Sequence, residues 1–253
     1  MTHHTSTVLV VDDEQEITDL ITLYMQREGF IVHAADNGDD AIQLANTLLP
    51  DLILLDVSIG RMDGIEVCRS LREGNCADIP ILFVSCKSED RDIIRGLSEG
   101  GDDYITKPFS PSQLVARVKA HIRRRRTREK STEKQVENIN YPGLEIDYRT
   151  LEVRLNGDKL PLSVKEFELL SVLAKHPNRV FPLEELYRLV WNADSMGDTR
   201  TLMVHVSNLR KKIEQDSSRP RWIQTVRGFG YRFIPDPDEQ LVADEFNAQV
   251  TPI

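Results

Sequence analysis

A short apolar run that ends in an acid limits the possible folds of this chain more than any other segment. Leu52–Leu55 has the length of a β-strand and carries no polar residue, which is typical of a strand buried on both faces of a parallel sheet. The run ends at Asp56, and a turn closed by Asp63-Gly64 follows. Ligands of open α/β sheets bind at the carboxyl ends of strands, so Asp56 is either a functional acid or a simple helix cap.

Strand-like and helix-like segments alternate throughout residues 5–125. Five strand-like segments, among them residues 7–11 and 81–85, alternate with five segments whose apolar residues recur at helical spacing. Such alternation favours a parallel sheet with helices on both faces, because the crossovers are right-handed. The sequence therefore predicts an α/β domain with a flavodoxin-like, doubly wound five-stranded parallel sheet.

Polar residues stand at the ends of four of these predicted strands. They are Asp12, Asp13, Asp56, Ser85 and Lys107. Three carboxylates without a histidine form a hard oxygen site of the kind that Mg²⁺ prefers, often together with a phosphate oxygen. Lys107 adds a positive charge for a phosphoryl group, and Ser85 adds a hydroxyl donor. Helix capping explains one such acid well, but it explains all five positions poorly.

Charge is divided unequally along the 253 residues. Residues 1–122 hold 10 basic against 21 acidic side chains, whereas residues 139–236 hold 15 against 13. This asymmetry indicates two domains with different partners. No apolar run approaches the roughly 18 residues that span a bilayer, and the N-terminus lacks the basic region of a signal peptide. With three cysteines in no metal-binding spacing, these features predict a cytoplasmic protein with reduced thiols and no membrane partner.

A highly charged segment, residues 122–137, separates the two predicted domains. It includes Arg123–Arg126, which can contact DNA phosphates or anionic lipid, or can form the solvated end of a helix that leads into a flexible linker. We place the first domain at residues 5–125, the linker at 126–138 and the second domain at 139–236. The acidic tail, residues 237–253, carries no motif, and its composition is typical of disorder.

The second domain combines strands with three helices. Asn156-Gly157 between alternating segments predicts a β-hairpin. Ser163 followed by Glu166 predicts a capping box at the start of a helix. A final hairpin with a Gly-rich tip, TVRGFGYRF, closes the domain. The sequence thus predicts an α+β domain.

The third helix of this domain presents polar side chains opposite its apolar stripe. Arg200, Asn208 and Lys211 lie on that polar arc and are residue types that bind base edges or phosphates in a major groove. In isolation the arc also fits an ordinary solvated face. The hairpin that follows carries Arg227, however, and a helix beside a basic wing is a DNA-binding arrangement. The second domain is therefore predicted to be an α+β winged helix-turn-helix domain.

Four motifs of the first domain, VVDDE, LLDVSIGRMDG, FVS and DDYITKPF, together resemble a two-component receiver domain. The resemblance implies that Asp56 accepts a phosphoryl group from a sensor histidine kinase. It also implies a Mg²⁺ site formed by Asp12, Asp13, Asp56 and the backbone carbonyl of Ser58. Phosphoryl transfer of this kind depends on positioning and charge neutralisation, with the aspartate as nucleophile.

Ser85 and Tyr104 fall at the switch positions of receivers. The resemblance implies that the phosphoryl group draws in Ser85 and that Tyr104 rotates inward, which changes the face formed by the fourth helix, fifth strand and fifth helix. Homodimerisation through that face on phosphorylation is the implied consequence. Gly60 stands where the family usually has proline, so we expect the loop after Asp56 to be more mobile.

The motifs DTRTLMVHVSNLRKKIE and TVRGFGYRF closely resemble the OmpR/PhoB-type winged helix, across residues 139–236. The resemblance assigns DNA contacts to Arg200, Thr201, His205, Asn208, Arg210, Thr225 and Arg227. Ser207 and Asn208 replace arginines that are frequent in the family, which predicts a weaker grip on phosphates. By the same resemblance, the loop at residues 192–197 meets RNA polymerase.

These patterns predict a response regulator of the OmpR/PhoB type, which binds promoter DNA as a homodimer on tandem half-sites when phosphorylated. A turnover enzyme is not expected. Two alternatives remain open. Phosphatases and phosphotransferases with an aspartyl nucleophile usually have a second acid two residues further on, where this chain has Ser58. A DNA-binding regulator that works without phosphorylation is consistent with Gly60, but not with the complete set of strand-end residues.

Overall fold

The computed structural model describes residues 5–60, 62–130, 138–191 and 199–235. These residues form two compact units. The first is built on a five-stranded sheet and the second on two smaller sheets. The predicted RNA polymerase loop at residues 192–197 and the acidic tail at 237–253 lie outside the described residues.

The first unit alternates strands and helices along the chain. Its elements are β1 (Thr7–Val11), α1 (Gln15–Arg27), β2 (Ile31–Ala35), α2 (Gly38–Leu48), β3 (Leu52–Leu55), β4 (Ser58–Ile59), β5 (Met62–Asp63), α3 (Gly64–Glu73), β6 (Ile81–Ser85), α4 (Asp90–Ser98), β7 (Asp103–Thr106) and α5 (Pro111–Lys130). The main sheet has the order β2-β1-β3-β6-β7, and its strand pairs are all parallel. This is the doubly wound sheet that the alternating segments predict.

Both faces of this sheet are buried. Side chains that alternate along the strands point to one face or the other. On one face Leu54 belongs to the same core cluster as Ile21 of α1 and Val118 of α5. On the other face Ile53 belongs to a cluster with Ala41 of α2. Burial on both sides explains why β3 is apolar at every position.

A small hairpin shapes the loop that follows Asp56. Strand β4 pairs antiparallel with β5, so that Ser58 lies opposite Asp63. The sequence alone did not predict this hairpin. Helix α3 then begins at Gly64, where an added Cβ would lie 1.9 Å from the backbone oxygen of Asp56. Glycine is therefore required for the start of α3 to approach Asp56 this closely.

Helix α5 is longer than the sequence predicts. It continues to Lys130, past residue 126, where we placed the start of the linker. Residues 123–130 contain no glycine or proline, and arginine, lysine and glutamate are good helix formers, so the helix continues although the segment lacks apolar periodicity. Among the alternatives for Arg123–Arg126, a helical end agrees with this extension.

The remaining elements belong to two antiparallel sheets and three helices. They are β8 (Ile139–Tyr141), β9 (Leu144–Asp147), β10 (Glu152–Leu155), β11 (Asp158–Leu160), α6 (Val164–Ala174), β12 (Val180–Pro182), α7 (Leu183–Trp191), α8 (Thr199–Ile213), β13 (Ile223–Val226) and β14 (Gly230–Phe233). One sheet has the order β11-β10-β9-β8 and the other β12-β14-β13. The hairpin of β13 and β14 is the predicted wing, and the α+β winged-helix architecture is confirmed.

Two local signals in this part of the chain are confirmed. Asn156 and Gly157 connect β10 to β11 with φ angles of 53° and 91°, as a two-residue hairpin turn requires. At the start of α6, the Ser163 side chain accepts a hydrogen bond from the N–H of Glu166. The Glu166 carboxylate accepts one from the N–H of Ser163 in return, which completes the predicted capping box.

Helix α8 is held at its apolar face and at its end. The predicted apolar stripe is buried throughout, at Leu202, Val206, Leu209 and Ile213. Just after the helix, the Glu214 carboxylate accepts hydrogen bonds from the backbone N–H groups of Arg221, Trp222 and Ile223. These bonds place the start of β13 beside the end of α8, so the wing is anchored at its base.

Candidate functional site

The carboxyl ends of neighbouring strands bring the predicted site residues to one edge of the parallel sheet. Strand β1 pairs with β3, and Asp12 and Asp56 are the residues that directly follow them. Strand β6 ends at Ser85, and the N–H of Lys107 donates to the Ser85 carbonyl at 2.8 Å. The lysine is thereby fixed at the end of β7. The cis peptide bond between Lys107 and Pro108 follows directly.

An ammonium group and three carboxylates form a cluster at this edge. Lys107 Nζ lies 2.8 Å from Asp12 Oδ2 and 2.8 Å from Asp56 Oδ2. A third carboxylate, that of Glu14, is 3.1 Å from the same nitrogen. Asp12 and Asp56 are 3% and 4% exposed, whereas the Glu14 side chain is 59% exposed. Lys107 therefore neutralises two buried carboxylates that would otherwise repel each other.

Burial and hydrogen bonding set the protonation of this cluster. Burial raises the pKa of the Asp12 carboxyl above its usual value, although the hydrogen bond from Lys107 opposes the shift. For Lys107, burial acts to lower the pKa, but hydrogen bonds to the three carboxylates outweigh it, and the net pKa is raised. The lysine is thus protonated at neutral pH and presents a fixed positive charge beside Asp56.

Three acids of the cluster could hold a metal ion. Single ligand oxygens of Asp12, Glu14 and Asp56 lie within 4.8 Å of one another. An all-oxygen donor set suits a hard cation such as Mg²⁺. The set of metal ligands predicted from the sequence contains Asp13, whereas the group of acids that lie together in the structure contains Glu14 in its place.

Asp13 and Ser58 make other contacts. The Asp13 carboxylate accepts a hydrogen bond from the N–H of Gly60 at 3.0 Å, through Oδ2. The N–H of Ser58 donates to Asp56 Oδ1 at 3.1 Å, so it orients the carboxylate oxygen that Lys107 does not contact. Metal binding by Asp13 and by the Ser58 carbonyl stays a prediction.

The two predicted switch residues are buried, and both are bonded to the backbone of Lys87. Ser85 is 1% exposed and Tyr104 is 2% exposed. The Ser85 hydroxyl oxygen accepts a hydrogen bond from the N–H of Lys87 at 3.3 Å, and the Tyr104 hydroxyl donates to the carbonyl of Lys87 at 2.7 Å. Burial raises the pKa of Tyr104 to about 12. The ring therefore already has the inward orientation that the receiver resemblance links to switching.

The side chains predicted to contact DNA fall into an accessible and a buried group. Accessible to different degrees are Arg200, Asn208, Arg210, Lys211, Thr225 and Arg227. Thr201 and His205 are buried, at 0% and 2% exposure. Helix α8 and the wing thus both present positive charge to solvent, through Lys211 and Arg227 in particular. Contacts of DNA with Thr201 and His205 stay a prediction.

Arg210 joins the wing to α8. Its guanidinium donates to the Ile223 carbonyl at 2.6 and 2.9 Å and to the Thr225 hydroxyl at 2.9 Å. The guanidinium carbon, Cζ, lies 5.3 Å from the centre of the Tyr231 ring, which favours a cation–π contact. Burial lowers the pKa of Arg210. Sequence reasoning assigned Arg210 and Thr225 to DNA and missed that they bind each other.

Comparisons with known proteins agree with both halves of this description. Residues 8–119 match the family model for the response regulator receiver domain, and residues 157–233 match that for the C-terminal domain of transcriptional regulatory proteins. The transcriptional regulatory protein YvrH of Bacillus subtilis is 40% identical over 235 residues, which cover 92% of this chain and 97% of that protein. The chain belongs to the two-component response regulators of the OmpR/PhoB type.

Other relatives of this response regulator show the same extent of similarity. The alkaline phosphatase synthesis transcriptional regulatory protein PhoP of B. subtilis is 42% identical over 229 residues, covering 89% of this chain and 95% of that protein. A solved structure of a RitR mutant matches with a TM-score of 0.70 at 25% identity, covering 91% of this chain and 100% of that chain. A receiver followed by an OmpR/PhoB-type DNA-binding domain is therefore the architecture of the chain, which is a transcriptional regulator.

Two features of the response regulator's site escaped sequence reasoning. Glu14 joins the carboxylate cluster, but the run Asp12-Asp13-Glu14 does not reveal which of its side chains turn inward. The hydrogen bond from Gly60 to Asp13 depends on the positive φ of Gly60, +53°. From the sequence, that glycine indicated only a flexible loop.

Cys68, Cys76 and Cys86 are free thiols, as predicted. Every helix in the described part of the response regulator is too short or too polar to cross a membrane.

Proposed function

We propose that this response regulator is controlled by phosphorylation of Asp56 by a sensor histidine kinase, with promoter DNA binding as the output. The observation that carries the proposal is the environment of Asp56. The residue is buried at a strand end, one carboxylate oxygen contacts Lys107 Nζ and the other accepts the N–H of Ser58. An ordinary helix cap does not require a buried ammonium group beside it.

The chemistry is a phosphoryl transfer between side chains. A carboxylate oxygen of Asp56 attacks the phosphorus of a phosphohistidine, the bond from phosphorus to the histidine nitrogen breaks, and an acyl phosphate forms. The leaving imidazole takes a proton from solvent. Lys107 keeps its own proton because its pKa is raised, so its ammonium group remains available to the new phosphoryl oxygens. The receiver thus assists its own phosphorylation without being a turnover enzyme.

Mg²⁺ is the cofactor that we assign to the carboxylate cluster. The oxygens of Asp12, Glu14 and Asp56 provide a donor set that fits this ion. The receiver resemblance implies Asp13 and the carbonyl of Ser58 as further ligands, beside Asp12 and Asp56. When bound, Mg²⁺ would screen the negative charge of the transferring phosphoryl group.

The signal is proposed to leave the site through Ser85 and Tyr104. The Ser85 hydroxyl is a donor for a phosphoryl oxygen, and the backbone of Lys87 is bonded to both Ser85 and Tyr104, so a movement of Ser85 is passed on to Tyr104. Tyr104 lies on β7, and we propose that the face of α4, β7 and α5 then forms a homodimer. The domain bounds 5–125 and 139–236, with a linker at 126–138, belong to the same proposal.

The proposed output is binding of two winged helices to tandem half-sites in promoter DNA. Helix α8 would enter the major groove, and the wing would contact the adjacent backbone. The proposed contacts are Arg200, Asn208, Arg210 and Lys211 on the helix and Thr225 and Arg227 on the wing. Thr201 and His205 join them only in a conformation that exposes both side chains. The cytoplasm is the proposed location, and RNA polymerase is the proposed further partner.

Acyl-phosphate labelling tests the function. The full chain is incubated with acetyl phosphate and Mg²⁺, and its intact mass is measured. We expect wild type to take up a single phosphoryl group and Asp56→Asn to take up none. Asp39→Asn removes an exposed carboxylate at the start of α2 and should be labelled like wild type.

Two other outcomes would contradict the proposal. Wild-type protein that takes up no phosphoryl group would favour a regulator that works without phosphorylation. Rapid transfer of the phosphoryl group to an added acceptor, with turnover, would favour an enzyme.

A further inference from the structure

Gly60 bonds to a proposed metal ligand through its backbone. The N–H of Gly60 donates to Asp13 Oδ2 at 3.0 Å. Gly60 has a φ of +53°, in the left-handed region, and lies in the turn between β4 and β5. Proline, the residue usual at this position of receivers, has no N–H and cannot adopt a positive φ. The hydrogen bond to Asp13 is therefore possible only because this chain has glycine at position 60 in place of the usual proline.

This bond holds the Asp13 carboxylate away from the cluster of the other acids. The ligand oxygens of Asp12, Glu14 and Asp56 lie within 4.8 Å of one another, and Asp13, although it is among the described residues, is not part of that group. A hydrogen bond to an ionised carboxylate is stronger than one between neutral groups. Mg²⁺ needs its ligand oxygens at short range, so Oδ2 of Asp13 must leave Gly60 before it can bind the ion.

We propose that the N–H of Gly60 competes with Mg²⁺ for Asp13 and thereby lowers the affinity of the receiver for the ion. The proposal rests on the proposed function, because it requires a Mg²⁺ site in which Asp13 is a ligand. Gly60 acts through Asp13 and is a positioning residue. Both Gly60 and Asp13 are exposed, so water can bond to the freed N–H and the competition is reversible. Phosphorylation then starts only when free Mg²⁺ is high enough to release Asp13.

Substitutions at Gly60 separate this competition from general disturbance of the loop. An added Cβ at Gly60 would meet no described atom within 4 Å, so Gly60→Ala acts through the positive φ, which alanine disfavours. Gly60→Pro removes the N–H itself. Gly29→Ala is the matched control, because Gly29 also has a positive φ, +84°, and open space around it among the described atoms. Gly29 lies between α1 and β2, away from the hydrogen bond.

The measurement is a calorimetric titration of each full-length variant with Mg²⁺. We expect the affinity to rise about two- to tenfold in Gly60→Ala and about tenfold in Gly60→Pro, as loss of a charge-assisted hydrogen bond implies. Gly29→Ala should bind like wild type. In amide NMR spectra of wild type, the Gly60 proton should move upfield as Mg²⁺ is added, because its bond to Asp13 is lost. Circular dichroism checks that each variant is folded, and Gly60→Ala decides the question if Gly60→Pro is not.

Several outcomes would contradict the proposed competition between the Gly60 N–H and Mg²⁺. One is an affinity for Mg²⁺ that is the same in Gly60→Ala as in wild type. A weaker affinity in Gly60→Ala would show instead that the N–H orients Asp13 for the ion. The proposal would also be contradicted if the Gly60 amide resonance stayed in place while Mg²⁺ shifted the amide resonances around Asp12 and Asp56. Failure of the proposed function is distinguishable, because wild type would then show neither Mg²⁺ binding nor labelling of Asp56. That result would remove the competition together with the site.

Discussion

At the scale of single residues, Lys107 balances the buried negative charge of the receiver site. Its ammonium group contacts Asp12 and Asp56 at 2.8 Å each. In Lys107→Gln, these two carboxylates lose their counter-charge, and we expect the free energy of unfolding to fall by about 2–4 kcal/mol. Urea unfolding at neutral pH measures this change. Lys119→Gln, which breaks an exposed ion pair with Glu28, is the control and should change stability by less than about 1 kcal/mol.

Asp103 gives the receiver a pH-dependent ion pair. The carboxylate is fully buried, 2.8 Å from Arg117 and 3.8 Å from His121. Burial acts to raise the pKa of Asp103, but Arg117 and His121 outweigh it and lower the pKa to about 2. Since this lies below the ordinary value of 3.8, the pair stabilises the fold above that value, and the stabilisation is lost as the pH falls toward 2.

The comparison of wild type with Asp103→Asn isolates this effect. The difference between their free energies of unfolding should shrink by about 2 kcal/mol as the pH is lowered from about 4 to about 2. Denaturant unfolding at a series of pH values measures the difference. The contributions of other titrating groups are the same in both proteins and cancel when the two free energies are subtracted. A difference that does not depend on pH over this range would contradict the assignment.

At the scale of secondary-structure elements, Arg210 is expected to hold the wing in place. Arg210→Ala removes the hydrogen bonds to Ile223 and Thr225, so the DNA-free protein should lose about 1–3 kcal/mol of stability. Lys211→Ala changes an exposed neighbour and should leave stability unchanged, while reducing the slope of log affinity against log salt by about 1. An Arg210→Ala variant as stable as wild type would mean that Arg210 serves DNA alone.

An element could be predicted from the sequence where a local pattern of residues determines it, but not where it depends on contacts between distant segments. Strand β3 and the turn at Asn156-Gly157 were predictable, because burial on both faces and positive φ leave local signals in the sequence. The convergence of Asp12 and Asp56 was predictable from parallel strand order. The β4–β5 hairpin and the bond between Arg210 and Thr225 were not, since they depend on contacts between segments with no local pattern of their own.

At the scale of the whole molecule, the charge distribution matches the different functions of the receiver and the DNA-binding domain. Residues 1–122 are strongly acidic and contain the carboxylate cluster, whereas residues 139–236 carry 15 basic against 13 acidic side chains. So small an excess of positive charge gives one winged helix a weak grip on phosphates. Tight binding to promoter DNA is therefore expected to need two copies on tandem half-sites, linked by paired receivers.

The affinity of the full chain for a DNA fragment with two tandem half-sites, measured before and after phosphorylation, tests the central claim most directly. The fragment is obtained by selecting bound genomic DNA, and affinity is followed by fluorescence anisotropy at fixed salt. We predict that acetyl phosphate with Mg²⁺ raises the affinity of wild type at least about tenfold, because two sites are then bound together. Asp56→Asn should keep its lower affinity under the same conditions. Equal affinity of wild type with and without the phosphodonor, at confirmed labelling of Asp56, would contradict the account.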